Sequence, residues 1–490
     1  MLDATNLENA AHAASAAPKR IVTDLLVIGA GSGGLSVAAG AVQMGAQVVL
    51  LEDGKMGGDC LNYGCVPSKA LLAAGKHAHA MTSGAPFGVT PVEPQIDYAA
   101  AMGHVALTIE TIAPVDSQER FEGLGVTVIR ERGRFISPDE VQAGNTVIEA
   151  RRIVVATGSS PLVPPIDGLK DVPYLTNESL WEQRERPEHL LIIGGGPIGM
   201  EMAQAHRRLG SQVTVIEGAK ALGKDDPEMA AVVLDRLRRE GVTIEEDAKV
   251  ARVEGRVGAI TVHAEDGRSF TGSHLLVAVG RKANLGDLGL EAGNVAHTAR
   301  GIDVGDDLRS KSNRKVYAIG DVAGRLQFTH VAGYHASVVI RSILLGLPSK
   351  AREDHIPWVT YADPELAHVG LTEAHAREKH GSKVEVVRFG YDENDRAIAE
   401  RAAEGSIKVV VHKGRPIGAT IVGKDAGNLI GVWALALSAG LKMSQVAGMV
   451  APYPTLGEVS KRAAGAYFAP RLFESATVKR AVRLVQSRLR

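Results

Sequence analysis

Cys60 and Cys65 are the two cysteines in 490 residues, and they stand five apart within GGDCLNYGCVPSK. Two sulfhydryls this close in an otherwise cysteine-free chain point to one shared chemistry, thiol–disulfide exchange. On a regular helix, residues five apart lie about 8.7 Å apart between α-carbons, whereas a disulfide seldom bridges more than about 7 Å. The backbone between them must leave the helix, and Gly57, Gly58 and Gly64 tolerate that. The apolar run 70–74 after Pro67 predicts a helix. Both sulfurs then sit at its N-terminal end, where the helix dipole favours a thiolate. Two inert buried thiols are the plainer alternative; the glycine framing favours a redox-active disulfide.

A redox pair needs a source of electrons, and the sequence carries one pattern twice. Residues 25–52 (LLVIGAGSGGLSVAAGAVQMGAQVVLLE) run an apolar strand into Gly29, Gly31, Ser32, Gly33 and Gly34, then a helix and a strand closing at Glu52. Residues 190–217 repeat the plan with Gly194, Gly196 and Gly199, closing at Glu217. Glycines allow a tight turn and close approach of backbone to a pyrophosphate at the helix N-terminus, and the acid can bond a ribose hydroxyl. One such triplet is a weak signal, but two in strand–turn–helix–strand context predict two bound dinucleotides. The cysteines follow soon after Glu52, so the first unit is expected to hold the carrier that feeds them, FAD, and the second a nicotinamide. Glu217 would repel a 2′-phosphate and no arginine follows in GAKALGKDD, so NADH is preferred to NADPH.

The elements around these sites predict an α/β chain: two Rossmann-like dinucleotide-binding domains plus a C-terminal α+β dimerisation domain. The expected order is a disordered tail (1–20), a first FAD-binding part (21–160), a nicotinamide domain (161–283), a second FAD-binding part (284–354) and an interface domain (355–475). A basic amphipathic C-terminal helix (476–490) follows. A mostly helical stretch is expected at about 95–122. The strand IVVATG ends at Thr157 and Gly158, LLVAVG at Gly280, and VYAIGDVAG carries Gly320 and Asp321. VEVVRF, IKVVVHK and IGATIVG read as strands of the last domain. Net charge is −1, which excludes the basic footprint of a nucleic-acid binder. The first twenty residues lack the basic start and apolar core of a secretory signal, and no apolar run is long enough to span a membrane. With no structural cysteines, a cytoplasmic setting is expected. In the last helix Val478, Ala481, Val482, Val485 and Leu489 alternate with Lys479, Arg480, Arg483, Arg488 and Arg490. Packing on its own domain is the preferred reading; weak contact with an anionic membrane surface is the other.

Together GAGSGG, GGDCLNYGCVPSK, ATG, GGGPIGMEMA, YAIGDVAG and PYPTLGE resemble the flavin-dependent pyridine nucleotide–disulfide oxidoreductases, the family of glutathione reductase and dihydrolipoamide dehydrogenase. The resemblance covers roughly residues 22–475. It implies a homodimer, FAD in an extended pose, and NAD(P)H on the flavin face opposite the disulfide. It further implies that Cys65 is the charge-transfer thiolate touching the flavin and Cys60 the interchange thiol. Lys69 would lie near the flavin N5 and pair with Glu201, and Asp321 would bond the ribityl chain; an ordinary surface pair is the alternative for Lys69 and Glu201. Gly58, Thr157, Gly158, Gly280, Gly320 and His330 join the cofactor contacts on the same basis. His330 and His335 could approach the isoalloxazine or pack beneath it on a helix. Tyr63 could line the substrate side or fill space.

One motif departs from the dehydrogenases and glutathione reductases, which place a histidine from the partner subunit beside the interchange thiol. Here that position is Tyr453, with Glu458 retained. Tyrosine titrates near 10 and histidine near 6.5, so Tyr453 is a poor proton shuttle at neutral pH. Mercuric reductases of the family also carry tyrosine there, and a metal ion between two thiolates needs no proton for a leaving sulfur. Their C-terminal cysteine pair and N-terminal metal-binding domain are not in this sequence, and no metal-ligand cluster is expected. The chain therefore reads as an NADH-dependent flavoprotein passing electrons through Cys60 and Cys65 to a disulfide or thiol-bound acceptor. Metal-ion (mercuric) reductase and dihydrolipoamide dehydrogenase are the alternatives, with Tyr453 and Glu458 crossing a homodimer interface.

Overall fold

The computed structural model describes residues 18–489. Most of the expected tail lies outside them, but a strand begins at Lys19, because Lys19 and Arg20 extend the ladder to Thr146 and Val147. Eight helices matter below: α1 (Ser32–Gln43), α2 (Gly58–Asn62), α3 (Cys65–Thr82), α4 (Pro197–Arg208), α5 (Thr329–Leu345), α6 (Asp395–Ala399), α7 (Glu458–Ala469) and α8 (Ala476–Arg488).

The chain forms two compact units. The first runs to Gly58 and takes in Ala113–Ser159 and Ala283–Ala351. Its seven-stranded sheet is centred on Lys19–Ile28, flanked in parallel by Val48–Leu51 on one side and Thr146–Val155 on the other. Residues 25–28 are buried, as the unbroken apolar run requires of a strand covered on both faces. The reversal of strand order at this central strand is the switch point where open α/β sheets bind ligands. α1 and α5 cover the sheet together: a β-carbon on Gly40 would fall 2.6 Å from Ile340 Cδ1, and one on Gly33 3.2 Å from Ala332 Cβ.

The second unit holds Asp59–Ile112, Ser160–Lys282 and the chain from Arg352 onward. Four parallel strands, Thr243–Glu245, Gln212–Ile216, His189–Ile193 and His274–Val277, repeat the nucleotide-binding plan. A five-stranded antiparallel sheet follows, in the order Pro357–Thr360, Glu365–Gly370, Arg415–Gly423, Ser406–His412, Val384–Gly390. The last three cover the three runs expected to be strands, apart from Lys413, which lies in the turn after His412. Lys408 ties this sheet to the nucleotide-binding part: its ammonium, almost fully buried, meets Asp226 at 2.8 Å, Glu228 at 2.9 Å and Glu373 at 2.9 Å.

Two placements differ from the sequence reading. Residues 59–112, given there to the first dinucleotide domain, cluster with the second unit. The reason is that α3 lies on α4, with Gly75 close enough that a β-carbon would sit 3.3 Å from the Ala205 carbonyl oxygen. The last helix was expected to pack on its own domain; α8 instead buries no residue against the described chain.

Candidate active site

The two glycine loops are built alike. Gly29 takes φ of 105° and Gly194 φ of 114°, values open to glycine. A β-carbon on Gly34 would fall 1.8 Å from the Gly29 carbonyl oxygen, and one on Gly199 2.0 Å from that of Gly194. Those glycines let helix and strand pack closely. At Gly31 the nearest atom to a β-carbon would be 3.9 Å away, and at Gly196 nothing lies within 4 Å. There the missing side chain leaves backbone N–H groups open to a pyrophosphate. Neither α1 nor α4 has a side-chain N-cap, so their first amides keep that role.

The acid at the end of the second strand does matching work in each copy. Glu52 accepts from Ala30 N (2.7 Å) and Gly54 N (2.7 Å); Glu217 accepts from Gly195 N (2.7 Å) and Ala219 N (2.8 Å). Each carboxylate is thus braced beside its glycine turn. Near Glu217, Lys220 is bound to Asp247 at 2.6 Å.

Around the first loop, Thr157 Oγ1 donates to the Asn284 carbonyl at 2.8 Å and Gly158 takes φ of 67°. Asp321 accepts from Ser159 within the same unit. Gly320 N donates to His335 Nδ1 at 3.2 Å, which leaves the proton on Nε2, a buried atom with no hydrogen-bond partner among the described residues. Burial, aided by Arg325, lowers the His335 pKa to about 4. His330 lies at the exposed start of α5, stacked on Phe328. The open glycine cradle and the orphaned His335 nitrogen suit an extended dinucleotide at this loop. In the second unit, Gly280 takes φ of 140° with nothing near its β-carbon position, a further opening beside the Gly194 loop.

Cys60 lies in α2 and Cys65 opens α3; Cys60 is half-buried and Cys65 exposed. The break between the helices falls at Tyr63 and Gly64, where a β-carbon on Gly64 would sit 2.9 Å from an Asp59 carboxylate oxygen. Gly57 and Gly58 take φ of 87° and 62°. Trp181 Nε1 holds the Tyr63 carbonyl at 2.9 Å, and Arg281 meets Asp59 at 3.0 Å. Tyr63 packs partly buried against the unit's core. One turn into α3, Lys69 Nζ meets Glu201 Oε2 at 2.7 Å. The Glu201 side chain is only 6% exposed, so this is no ordinary surface pair. Tyr361 completes it: its N–H donates to Glu201 Oε1 at 2.9 Å and its ring centroid lies 4.2 Å from Lys69 Nζ. Burial raises the Tyr361 pKa, and the charges of Glu201, Glu365 and Cys65 add to the effect.

Tyr453 is 67% exposed, and its hydroxyl donates to Asp395 Oδ2 at 2.8 Å. That bond, with the Asp395 charge, raises the phenol pKa. Glu458 is the buried first residue of α7. Asn394 Nδ2 donates to the Thr455 carbonyl at 3.1 Å, so the start of α6 holds the whole PYPT turn.

The family model for pyridine nucleotide-disulphide oxidoreductases matches residues 23–336, and the model for their dimerisation domain matches 356–464. The chain belongs to this oxidoreductase family. A mercuric reductase of Streptomyces lividans is 33% identical over 452 residues, 90% of this chain and 95% of the relative. A dihydrolipoyl dehydrogenase of Geobacillus stearothermophilus is 32% identical over 454 residues, 91% of this chain and 96% of the relative. Among solved structures, the Cu(II) complex of the HOCl-induced flavoprotein disulfide reductase RclA from Escherichia coli matches with TM-score 0.79 and 27% identity, covering 90% of this chain and 99% of that one. LpdA from Mycobacterium tuberculosis matches with TM-score 0.83 and 25% identity over 90% and 99%.

As a member of the pyridine nucleotide-disulphide oxidoreductases, the chain is an enzyme that binds FAD and uses NAD(P)H, and its dimerisation domain marks a homodimer. Among the described residues no helix is long and apolar enough to cross a membrane, and no group of three His, Cys, Asp or Glu could hold a metal ion. Three contributors escaped the sequence reading: Tyr361, Asp395 and His335's bond to Gly320. Each acts on a residue distant along the chain or through backbone geometry, so no spacing rule exposes it.

Proposed function

We propose that this oxidoreductase uses NADH to reduce a disulfide or a thiol-bound acceptor through Cys60 and Cys65. The observation that carries the reading is Cys65 at the first residue of α3 with Lys69, one turn on, fixed by a buried Glu201. The helix start and the nearby cation both favour a thiolate at Cys65. The Gly29–Gly34 loop, Glu52, Gly158 and Asp321 would hold FAD, which would supply the relay of two electrons from the nicotinamide. Glu217, with Lys220 committed to Asp247, supports NADH: a 2′-phosphate at the end of that strand would meet the Glu217 carboxylate.

Two electrons and two protons convert the Cys60–Cys65 disulfide to a dithiol. The Cys60 thiolate then attacks one sulfur of an acceptor disulfide, breaking its S–S bond and releasing one thiol. Cys65 thiolate attacks the Cys60 sulfur of the mixed disulfide, expels the second thiol and restores the pair. Each departing sulfur takes a proton, and Tyr453, supplied across the dimer with Glu458, is the only family-position donor for it. Its raised pKa keeps it protonated and its single O–H is given to Asp395, so it reaches a departing sulfur only by turning from that carboxylate and serves as a slow acid.

That same feature favours a second reading, reduction of a metal ion held between the two thiolates, such as thiol-complexed Hg(II), which accepts two electrons without protonating a leaving sulfur. Dihydrolipoamide oxidation fits Glu217 but asks most of Tyr453. A reducing cytoplasm suits a working dithiol. The test is anaerobic NADH oxidation with lipoamide and thiol-complexed Hg(II) offered separately. Turnover with lipoamide supports the disulfide reading, and turnover with Hg(II) alone the metal reading. Reduction of bound flavin by NADH with neither acceptor consumed overturns both.

A further inference from the structure

α8 has no part in the chemistry above and lies past residue 464, where the match to the dimerisation domain ends. Ser475 caps it by accepting from Val478 N, so the helix has its own start. Val478, Ala481, Val482, Val485 and Leu489 fall at spacings of three and four, along one stripe. Val478 is half-buried, and beyond it the stripe is bare: Val482 is 53% exposed, Val485 52% and Leu489 75%. Leu472 and Phe473, in the turn just before, are 49% and 70% exposed. Lys479, Arg480, Arg483 and Arg488 line the rest of the helix, Arg490 follows, and no Asp or Glu occurs after Glu474. A chain of net charge −1 thus concentrates five cations and no anion in its last fifteen residues.

We propose that α8 binds an anionic membrane surface, its apolar stripe set among the upper acyl chains and its cations on lipid phosphates. The charge is complementary to such a surface, and the long Lys and Arg stems let the cationic ends reach phosphates while the stripe is submerged. A nucleic acid would use the charge and leave the apolar stripe in water. A thirteen-residue helix is too short to span a bilayer, which limits it to lying in the interface. This inference is independent of which acceptor the dithiol serves.

The test is co-sedimentation of the FAD-loaded protein with vesicles of phosphatidylcholine alone or of phosphatidylcholine with 30% phosphatidylglycerol. Binding should be at least ~10-fold tighter to the anionic vesicles and should weaken as NaCl is raised from 50 to 500 mM. Val482→Asp/Val485→Asp should cut binding by ~10-fold or more and leave NADH oxidation and the far-ultraviolet dichroism unchanged. Equal pelleting with both vesicle types, or undiminished binding by the double variant, would overturn the proposal. So would conversion of dimer to monomer in that variant, which would assign the stripe to a second copy. Duplex DNA binding as tight as vesicle binding and unaffected by the aspartates would overturn it as well.

Discussion

Tyr453 stands where the dehydrogenases carry histidine, and its environment makes the exchange more consequential than the ordinary titration ranges of the two side chains suggest. Asp395 accepts its hydroxyl hydrogen and Glu458 adds negative charge, while Arg462 opposes them weakly; the net effect raises the pKa. Replacing Asp395 with Asn should therefore lower the phenol's titration toward 10, seen as phenolate absorbance at 295 nm that is absent in a Tyr453→Phe control. An unchanged midpoint would show that Asp395 does not set the proton affinity. Tyr453→His supplies a group titrating near neutrality beside the same carboxylate. It should raise lipoamide turnover by ~10- to 100-fold, toward the lower end of what positioned acid–base groups give. No gain would mean that proton delivery is not the bottleneck. The motif exposed Tyr453 in the sequence, whereas Asp395 sits in an unremarkable acidic stretch and becomes relevant only when the turn folds onto α6.

Between elements, the contact that matters most to the redox pair is α3 on α4. Gly75 permits it, since a β-carbon there would meet the Ala205 carbonyl oxygen at 3.3 Å, its α-carbon at 3.4 Å and Arg208 Cβ at 3.4 Å. Backbone atoms cannot yield as a flexible side chain would. Gly75→Val should push the helices apart and destabilise the protein by about 1–3 kcal/mol. It should also disturb the Lys69–Glu201 pair two turns away, so a fall in thermal midpoint should come with slower alkylation of Cys65 at pH 7, as its thiolate loses support. Gly75→Ser destabilising as much as Val would contradict a volume effect. The strands and glycine turns were legible because an apolar run ending in glycine reads the same in any context. The docking of residues 59–112 on the second unit was not, because a helix pattern shows which face is apolar and not which core receives it.

At the scale of the molecule, three histidines are fully buried among the described residues and held neutral, in the first unit (His335), the nucleotide-binding part of the second (His206) and the antiparallel sheet (His368). His206 lies between the Tyr98 hydroxyl (3.2 Å) and the Met202 carbonyl (2.8 Å); His368 lies between Thr420 Oγ1 (2.7 Å) and the Gly370 carbonyl (3.0 Å). Burial is the leading cause in each case, and each pKa falls to about 4. A folded-state pKa below the unfolded value of about 6.5 means that the unfolded chain binds the extra protons, so stability is full above that value and is lost as pH falls toward 4. Each histidine should cost about 1 kcal/mol between pH 7.5 and pH 5.5, before most carboxylates begin to titrate. The two-domain nucleotide plan could be read from repeated glycines, and the motif around His335 pointed to a packed helix, but nothing in the sequence marks His206 or His368 among the sixteen histidines, since burial is a property of the packed chain. The apparent melting temperature of the FAD-loaded protein should therefore drop by several degrees from pH 7.5 to pH 5.5. His368→Gln, which keeps two polar contacts without a titrating group, should flatten the slope by about a third. A melting temperature constant across that interval would mean that the three histidines accept protons in the folded state as readily as in water, and that their burial is relieved by solvent.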